Sequence, residues 1–418
     1  MIVYKFGGAS VKSADGIRNI GHIVSGVDQH LFIVVSAMGK TTNAFEEVLA
    51  WFMKADKDHA LLKLAEIETY HTEIVKSLFE NTETGLKSIE PHFDTLKHYI
   101  QTAVGDDYDR CYDYLVSFGE IISTSIVSAY LSDNNIDNQW LDMRKLLVTD
   151  SNFREANVHM TESGKRFKAE VDFSKHRIYI SQGFIGSNSK GDPTTLGREG
   201  SDYTAAVVGN LLDAESVSIW KDVPGILNGD PRIFENTIHI PELTYSDAVE
   251  LAYSGAQIIH PKTIKPLENK QIPLFVRPFG TPTETGSVIK ETISKPIDVP
   301  IFILRKNLVL VTIRPRDFSF VLEESLSKAF GLFNKHRLKI SLIQSSAVSI
   351  SICVDNSRYL QAALDELGND YKVTYNDNLE LLTIRGATNA NIAENTNNRD
   401  VLLTQRTRRI ARVIMRQL

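Results

Sequence analysis

Cysteine is nearly absent: Cys111 and Cys353 are the only two in 418 residues, far apart and with no CxxC pair. That usage excludes a disulfide scaffold and a cysteine zinc site, and it fits a reducing cytoplasm. Positive charge is not in excess either. Lys and Arg total 46 against 52 Asp and Glu, a formal net charge of −6, so a chain built to neutralise a nucleic-acid backbone is not expected. Long apolar runs are also missing near the start, where the purest stretch is Leu31 to Val35, far short of the roughly 20 residues that span a bilayer. The opening MIVYKFGGAS places Lys5 and then glycines where a signal peptide needs an apolar core of about 7 to 15 residues. Neither a membrane span nor export by that route is expected. What is present is 42% apolar and 23% charged residues, enough for two or three globular domains at roughly 100 to 200 residues each.

Short β-branched or apolar runs recur at Ile2 to Phe6, Leu31 to Val35, Ile178 to Ile180, Ser216 to Trp220 and Leu274 to Arg277, with helical spacing between several of them. Buried strands alternating with helices predict an α/β sandwich with a largely parallel sheet. Residues 55 to 130 read as a helical insert, because Leu62, Leu64, Ile67, Tyr70, Ile74, Val75 and Leu78 recur near a 3.6-residue period. Pro and Gly cluster at Gly280 to Gly286 and at Lys295-Pro296 and Val299-Pro300, which places a domain break near residue 296. Beyond it the pattern is strand (Asn307 to Ile313), helix (Phe320 to Lys335), strand (Lys339 to Gln344), strand (Val348 to Val354), helix (Ser357 to Leu367) and strand (Tyr371 to Tyr375). That order is βαββαβ. A strand at Leu379 to Ile384 then leads into an Asn-rich stretch and a terminal segment with Arg399, Arg406, Arg408, Arg409, Arg412 and Arg416. Leu403, Ile410, Ile414 and Leu418 share one helical face, so the segment reads as a basic amphipathic helix. A nucleic-acid or membrane contact is one reading of it. With a negative chain and no interleaved aromatic residue, the solvated face of a helix packed on its own domain is the preferred one.

Three clusters carry chemistry. Lys5-Phe-Gly-Gly-Ala-Ser10 ends the first strand, and Gly7 and Gly8 let backbone N–H groups approach phosphate oxygens while Lys5 supplies a compact positive charge. Alone, that pattern is as well explained as a structural turn. Thr194-Thr-Leu-Gly-Arg-Glu-Gly-Ser-Asp-Tyr-Thr-Ala-Ala206 brings Arg198 between glycines and places Ser201 and Asp202 at a helix start, the makings of a carboxylate or phosphate site. Asp202 is equally readable as a helix-starting residue. Trp220-Lys-Asp-Val-Pro-Gly-Ile-Leu-Asn-Gly-Asp-Pro-Arg232 runs from a strand into turns and offers Lys221, Asp222 and Arg232 as a nucleotide-phosphate edge. By contrast, Ser36-Ala-Met-Gly-Lys-Thr-Thr42 only superficially matches a P-loop, since the glycine required five residues before Gly39 is Val34.

Taken with SFGE at Ser117 to Glu120 and GAQIIHPKT at Gly255 to Thr263, this ordered set resembles the aspartokinases of the amino-acid kinase superfamily over residues 1 to 295. The segment 296 to 418 resembles their ACT regulatory region, with an incomplete second module. The resemblance implies a three-layer α/β/α sandwich of the carbamate kinase-like type followed by a ferredoxin-like region. It implies phosphorylation of the L-aspartate β-carboxylate by ATP with Mg²⁺, giving 4-phospho-L-aspartate for lysine, threonine and methionine synthesis. Lys5 would stabilise the transferring phosphoryl group, Asp202 would organise the reacting groups, and Gly7 and Gly8 would bind phosphate. The substrate pocket maps onto Ser36, Thr42, Glu120, Phe184, Arg198 and Ser201, with Arg198 on the α-carboxylate and Glu120 on the ammonium. The ATP side maps onto Lys221, Asp222, Arg232, Gln257 and Lys262, and no residue is assigned as a metal ligand. A homodimer through the ACT-like region and an amino-acid effector are implied as well. Another small-acid kinase of the superfamily, or a catalytically silent amino-acid sensor on the same scaffold, are the competing readings.

The chain departs from the family pattern at several positions. Lys221 stands where a small hydroxyl residue is frequent, Leu227 where an aromatic is common, and Gln257 where a nucleotide-binding lysine is common, with Lys262 placed to compensate. Ala9 and Glu199 depart from KFGGTS and GRGGS. Lysine-sensitive relatives can carry acidic residues in the stretch matching Ile340 to Val348, the effector-binding strand and turn, whereas Ser341 and Ala347 here are uncharged. L-lysine at sub-millimolar concentration is therefore expected to leave phosphotransfer unchanged, and a lysine titration of ADP release checks it.

Overall fold

The computed structural model describes residues 1–256, 259–316 and 323–417. Gln257 and the first residues of the expected helix, Phe320 to Leu322, lie outside them, as does Leu418. The described chain forms two compact units: Met1–Ile226 with His239–Val249 and Gln257–Ile297, and Asp298–Leu418 with Leu227–Ile238 and Glu250–Ala256.

The first unit is built on an eight-stranded sheet. Its strands are β1 (Ile2–Phe6), β2 (Leu31–Val35), β3 (Gln139–Leu141), β4 (Ile178–Gln182), β5 (Ser216–Lys221), β6 (Glu242–Thr244), β7 (Leu274–Pro278) and β8 (Ser287–Lys290), in the order β6-β8-β7-β5-β1-β2-β4-β3. From β7 to β3 all neighbours are parallel, and only β8 runs antiparallel to β7. Strands covered on both faces need no polar face, and all five residues of β2 and of β4 are buried. The chain leaves β1 toward β2 on one side and returns beside it as β5 on the other, so the crevice at their carboxyl ends is the expected ligand position.

The helices are α1 (Ala14–Ser25), α2 (Thr41–Phe52), α3 (Lys57–Leu78), α4 (Thr82–Thr102), α5 (Tyr108–Asp133) and α6 (Gly200–Leu211), besides shorter ones. The helical insert is α3 to α5. Leu64, Ile67, Ile74, Val75 and Leu78 face its core, whereas Leu62, placed on that face by periodicity, is 58% exposed. A 3.6-residue repeat puts residue 62 beside 64 only loosely, and a two-residue step turns the side chain by more than half a circle. By length and composition α5 could cross a membrane, but 78% of its most apolar window is buried inside the protein. It is a core helix.

In the second unit β9 (Ile301–Pro315), α7 (Glu323–Lys335), β10 (Ile340–Ser345), β11 (Ile350–Asp355), α8 (Leu360–Gly368) and β12 (Tyr371–Arg385) follow the βαββαβ order. The core between this sheet and its helices holds Val311, Phe333, Ile352, Ala363 and Leu367. β9 and β12 are each 15 residues long and pair antiparallel along their length, so their far halves begin a second module. That module continues through α9 (Asn389–Thr396), β13 (Val401–Arg406) and β14 (Ile410–Arg416), giving the sheet order β10-β11-β9-β12-β14-β13. Among the described residues it has four strands and one helix, so it is short by a helix.

The expected basic terminal helix is therefore a β-hairpin. Its β-branched residues Val401, Thr404, Ile410, Val413 and Ile414 suit a strand, and the edge of β12 provides the pairing that decides between the two periods. Ion pairs engage its arginines: Arg399 meets Glu380, and Arg416 meets Asp400 at 2.8 Å. The segments drawn from before the break have a local reason too. The Asn228 side chain donates to the Pro300 carbonyl at 2.9 Å, the Phe302 N–H donates to the Asn228 carbonyl at 2.7 Å, and Phe234 packs on Phe302.

One close approach sets the first unit's geometry at its carboxyl edge. Gly183 directly follows β4, and a Cβ there would lie 2.4 Å from the Ser201 Cβ in the first turn of α6. Gly183→Ala is expected to cost about 1–3 kcal/mol by overpacking, read as a lower urea midpoint at unchanged slope.

Candidate active site

Parallel strands end on the same side, so the turns after β1, β2, β4 and β5 converge. Register puts Phe6 beside Val35 and Trp220, and Val35 beside Gln182. The turns approach closely because Gly8 has no side chain: a Cβ there would lie 2.7 Å from the Ala37 carbonyl oxygen, and the Gly8 carbonyl accepts from the Gly39 N–H at 3.0 Å. The cavity of about 420 Å³ enclosed by these turns and the start of α6 has Lys5, Gly7, Gly8, Ser36, Thr42, Glu120, Phe184, Ser201, Asp202, Lys221 and Asp222 in its wall.

On one side lies a buried charge cluster. Lys5 Nζ is 2.6 Å from Asp202 Oδ1, and Lys221 Nζ is 3.5 Å from Asp202 Oδ2. Lys5 is 8% exposed and Asp202 3%. Burial pushes the Asp202 carboxyl up, but the two ammonium groups outweigh it and hold it below the usual carboxylate range. Asp202 is thus an anion that fixes two cations at the cavity wall. It is a helix-starting residue as well, lying in the first turn of α6 after Glu199, whose φ is 54°.

Glu120, in the middle of α5, lines the same cavity. Its Oε1 accepts from the Ala37 N–H at 3.3 Å, and its buried Oε2 has no hydrogen-bond partner. Burial pushes this carboxyl up to about 8, against the opposing pull of the Ala37 N–H and Lys5. A buried carboxyl group with an unmatched oxygen in a cavity wall is suited to a ligand cation. Phe184 adopts a left-handed φ of 68°, and its N–H donates to Thr204 Oγ1 on α6 at 2.9 Å.

Other sequence-identified residues lie elsewhere. Arg198 is exposed between the wall residues Gly197 and Glu199 and does not itself line the cavity. Lys262 is exposed at the start of the helix Pro261–Glu268 and is also not in the wall. Arg232 belongs to the second unit, where it pairs with Asp230 at 2.7 Å, and Leu227 belongs to the same unit. Gln257 lies outside the described residues.

Sequence reasoning missed Asp113. Its carboxylate accepts from Thr195 N–H at 2.8 Å, Thr195 Oγ1 at 2.7 Å and Arg154 N–H at 3.0 Å, pinning the strand that enters Gly197-Arg198. Burial raises it to about 6 despite these donors. The available signal was its spacing: Asp113 and Glu120 are seven residues apart on one face of an apolar helix. The wall residues Ala37, Gly39 and Trp220 were missed as well, having no chemistry of their own to announce them. Among the described residues no three His, Cys, Asp or Glu side chains gather as a metal cage.

A ligand ammonium can pair with Glu120 only after its proton leaves. Below pH 8, binding of an amino acid here is expected to release a proton, and affinity should fall by up to about tenfold per pH unit as the pH drops. Calorimetry in two buffers of different ionisation enthalpy reads the proton, and Glu120→Gln should abolish its release.

Residues 1–278 match the amino acid kinase family. Lysine-sensitive aspartokinase 3 of Escherichia coli (strain K12) is 30% identical over 396 residues, covering 92% of this chain and 87% of the relative. The chloroplastic aspartokinase 2 of Arabidopsis thaliana is 32% identical over 389 residues, 88% of this chain and 69% of the relative. The crystal structure of E. coli aspartokinase III in complex with aspartate and ADP superposes with a TM-score of 0.85 at 27% identity, covering 100% of this chain and 96% of that one. Sequence, cavity and fold agree, and the chain belongs to the amino acid kinase family, in its aspartokinase branch.

Proposed function

We infer that this protein is an aspartate kinase, transferring the γ-phosphoryl group of ATP to the β-carboxylate of L-aspartate. The observation that carries the reading is the charge content of one cavity wall: two ammonium groups held by Asp202, and the Glu120 carboxyl with one oxygen unmatched. An acid and a polyphosphate repel each other, and the reaction advances only if cations offset that repulsion and hold the two in line. Lys5 and Lys221 do this at the phosphate side, where Gly7 and Gly8 bring backbone N–H groups close. Glu120 takes the substrate ammonium, and Ser36, Thr42 and Ser201 offer hydroxyls. Arg198, flanked by wall residues, closes on the α-carboxylate as a fork.

In the transfer, a β-carboxylate oxygen forms a bond to Pγ while the bond from Pγ to the bridging oxygen breaks, and ADP leaves with that electron pair. No proton is removed from the nucleophile, so Asp202 is a positioning anion and not a general base. Mg²⁺ neutralises phosphate charge when bound. Among the described residues no three acidic, His or Cys side chains gather to hold it, and the nucleotide phosphates would be its ligands.

Residues 1–295 form the catalytic domain on this reading, and 296–418 the regulatory region, through which the chain pairs as a homodimer in the cytoplasm without nucleic-acid or membrane partners. Lysine insensitivity has support in the second unit. Arg305 donates to Ser341 Oγ at 2.7 Å and pairs with Asp355, so a cationic effector would meet a guanidinium at this strand. The E. coli relative is lysine-sensitive by name.

The test is ADP formation from MgATP with L-aspartate or L-glutamate, coupled to hydroxylamine trapping of the acyl phosphate. Aspartate-selective hydroxamate is expected, and Lys5→Ala should lower kcat by about 100-fold or more, the scale of losing a charge-stabilising group. Turnover of glutamate alone would reassign the substrate. ATP binding without turnover of either acid would favour a sensor on a kinase scaffold.

A further inference from the structure

A second cavity of about 420 Å³ shares Gly39 with the first and takes part in none of the chemistry above. Its wall is formed by α2, α3, the turn after β2 and Lys12 from the segment after β1. Ile67, Ala44 and Tyr70 give it an apolar surface, and the Tyr70 hydroxyl is committed to the Lys12 carbonyl at 2.9 Å, so what Tyr70 offers a ligand is its ring. Lys12, Lys40 and Lys63 against Glu47 and Glu66 leave the wall one charge positive. Lys63 bridges Glu66 at 3.0 Å and Glu47 at 3.5 Å. Among the described residues, Lys12 and Lys40 are exposed and form no ion pair with a carboxylate. The volume is that of a small-molecule site, which runs from roughly 300 to 1,000 Å³.

We propose that this cavity is a regulatory site for a small aromatic monocarboxylate, whose ring packs on Tyr70 and whose carboxylate pairs with Lys12 and Lys40. A ring covers the apolar wall, and a single negative charge matches the single excess positive one. Coupling to the catalytic cavity runs through Gly39. Its backbone has a face in each cavity, its N–H holds the Gly8 carbonyl at 3.0 Å, and the neighbouring Thr41 N–H and Oγ1 hold the Met38 carbonyl at 3.0 and 2.6 Å. A ligand that prefers one position of this turn shifts the phosphate-binding turn with it, to the extent that it binds the two positions differently. The effect on phosphotransfer rests on the aspartate kinase reading; the binding does not.

The probe is 2-naphthoate, titrated into the full-length protein by its fluorescence and by equilibrium dialysis. One saturable equivalent per chain is expected, retained at saturating ATP or aspartate with only the finite change in affinity that coupling requires. Ala44→Trp, which fills the cavity, should abolish it, and a Lys12→Glu/Lys40→Glu variant should weaken it about tenfold or more, as lost charge pairing predicts. Neutral 2-naphthol should bind more weakly than naphthoate. Urea midpoints near that of the parent protein establish that both variants are folded. Saturating naphthoate should shift KM for ATP more than kcat. Complete competitive displacement by ATP, unchanged binding in both variants, or no saturable binding overturns the site, and binding without any change in KM or kcat overturns its regulatory role. A protein that binds naphthoate in this pattern but turns over neither acid would overturn the kinase reading and leave the site standing.

Discussion

A lysine ammonium near the end of a central β-strand is unfavourable unless an anion meets it there. Lys5 lies in β1 between Val34 of β2 and Ile219 of β5, and the Asp202 carboxylate 2.6 Å away compensates its burial. Deleting one member of such a buried pair leaves the other charge desolvated, typically a loss of ~3–5 kcal/mol. The pair therefore demands that the first turn of α6 stay against the end of β1. Much of the first unit serves that demand: Gly183 yields to Ser201, Thr204 holds Phe184, and Gly8 lets the turns after β1 and β2 meet.

Charge placement then separates two functions within one cavity. Lysines fixed on one carboxylate keep their ammonium groups ready for an anion without side-chain reorganisation, which is the condition under which electrostatic stabilisation is most effective. Glu120 carries the opposite feature, a carboxyl driven to about 8 by burial and left with one oxygen unmatched. Asp113, one turn-pair earlier on the same helix, spends all its acceptor capacity on Thr195 and Arg154 and so serves position and not binding. Two acids on one face of α5 thus differ in role because their neighbours differ.

The second unit follows a different logic. Two 15-residue strands run through both halves of its sheet, so one continuous pair of ladders supports the βαββαβ half and the shorter half beside it. A module lacking a helix remains viable because β9 and β12 already supply its central strands. The ion pair of Arg399 with Glu380 of β12 ties the terminal hairpin to this frame, and that of Arg416 with Asp400 joins the hairpin's own two arms.

Local pattern carried a large part of the structure. Apolar runs gave the central strands β1, β2, β4, β5 and β7, and the βαββαβ order past residue 296 followed from alternating periods, since both depend on residues within a few positions of each other. KFGG and GREGSDYTAA announced Lys5, Gly7, Gly8, Ser201 and Asp202 because few other residue types do the same chemistry at a strand end or a helix start. The terminal segment escaped, since a strand and a helix can share its composition and only the open edge of β12 selects the strand. Local pattern thus set most of the order of elements and the chemical groups available at their ends. Folding alone brings Asp113 to Thr195, 82 residues away, puts Arg232 with the second unit, and buries Glu120 so that its carboxyl is pushed up. Each of those depends on desolvation or on contact between distant segments, and neither is a property of neighbouring residues.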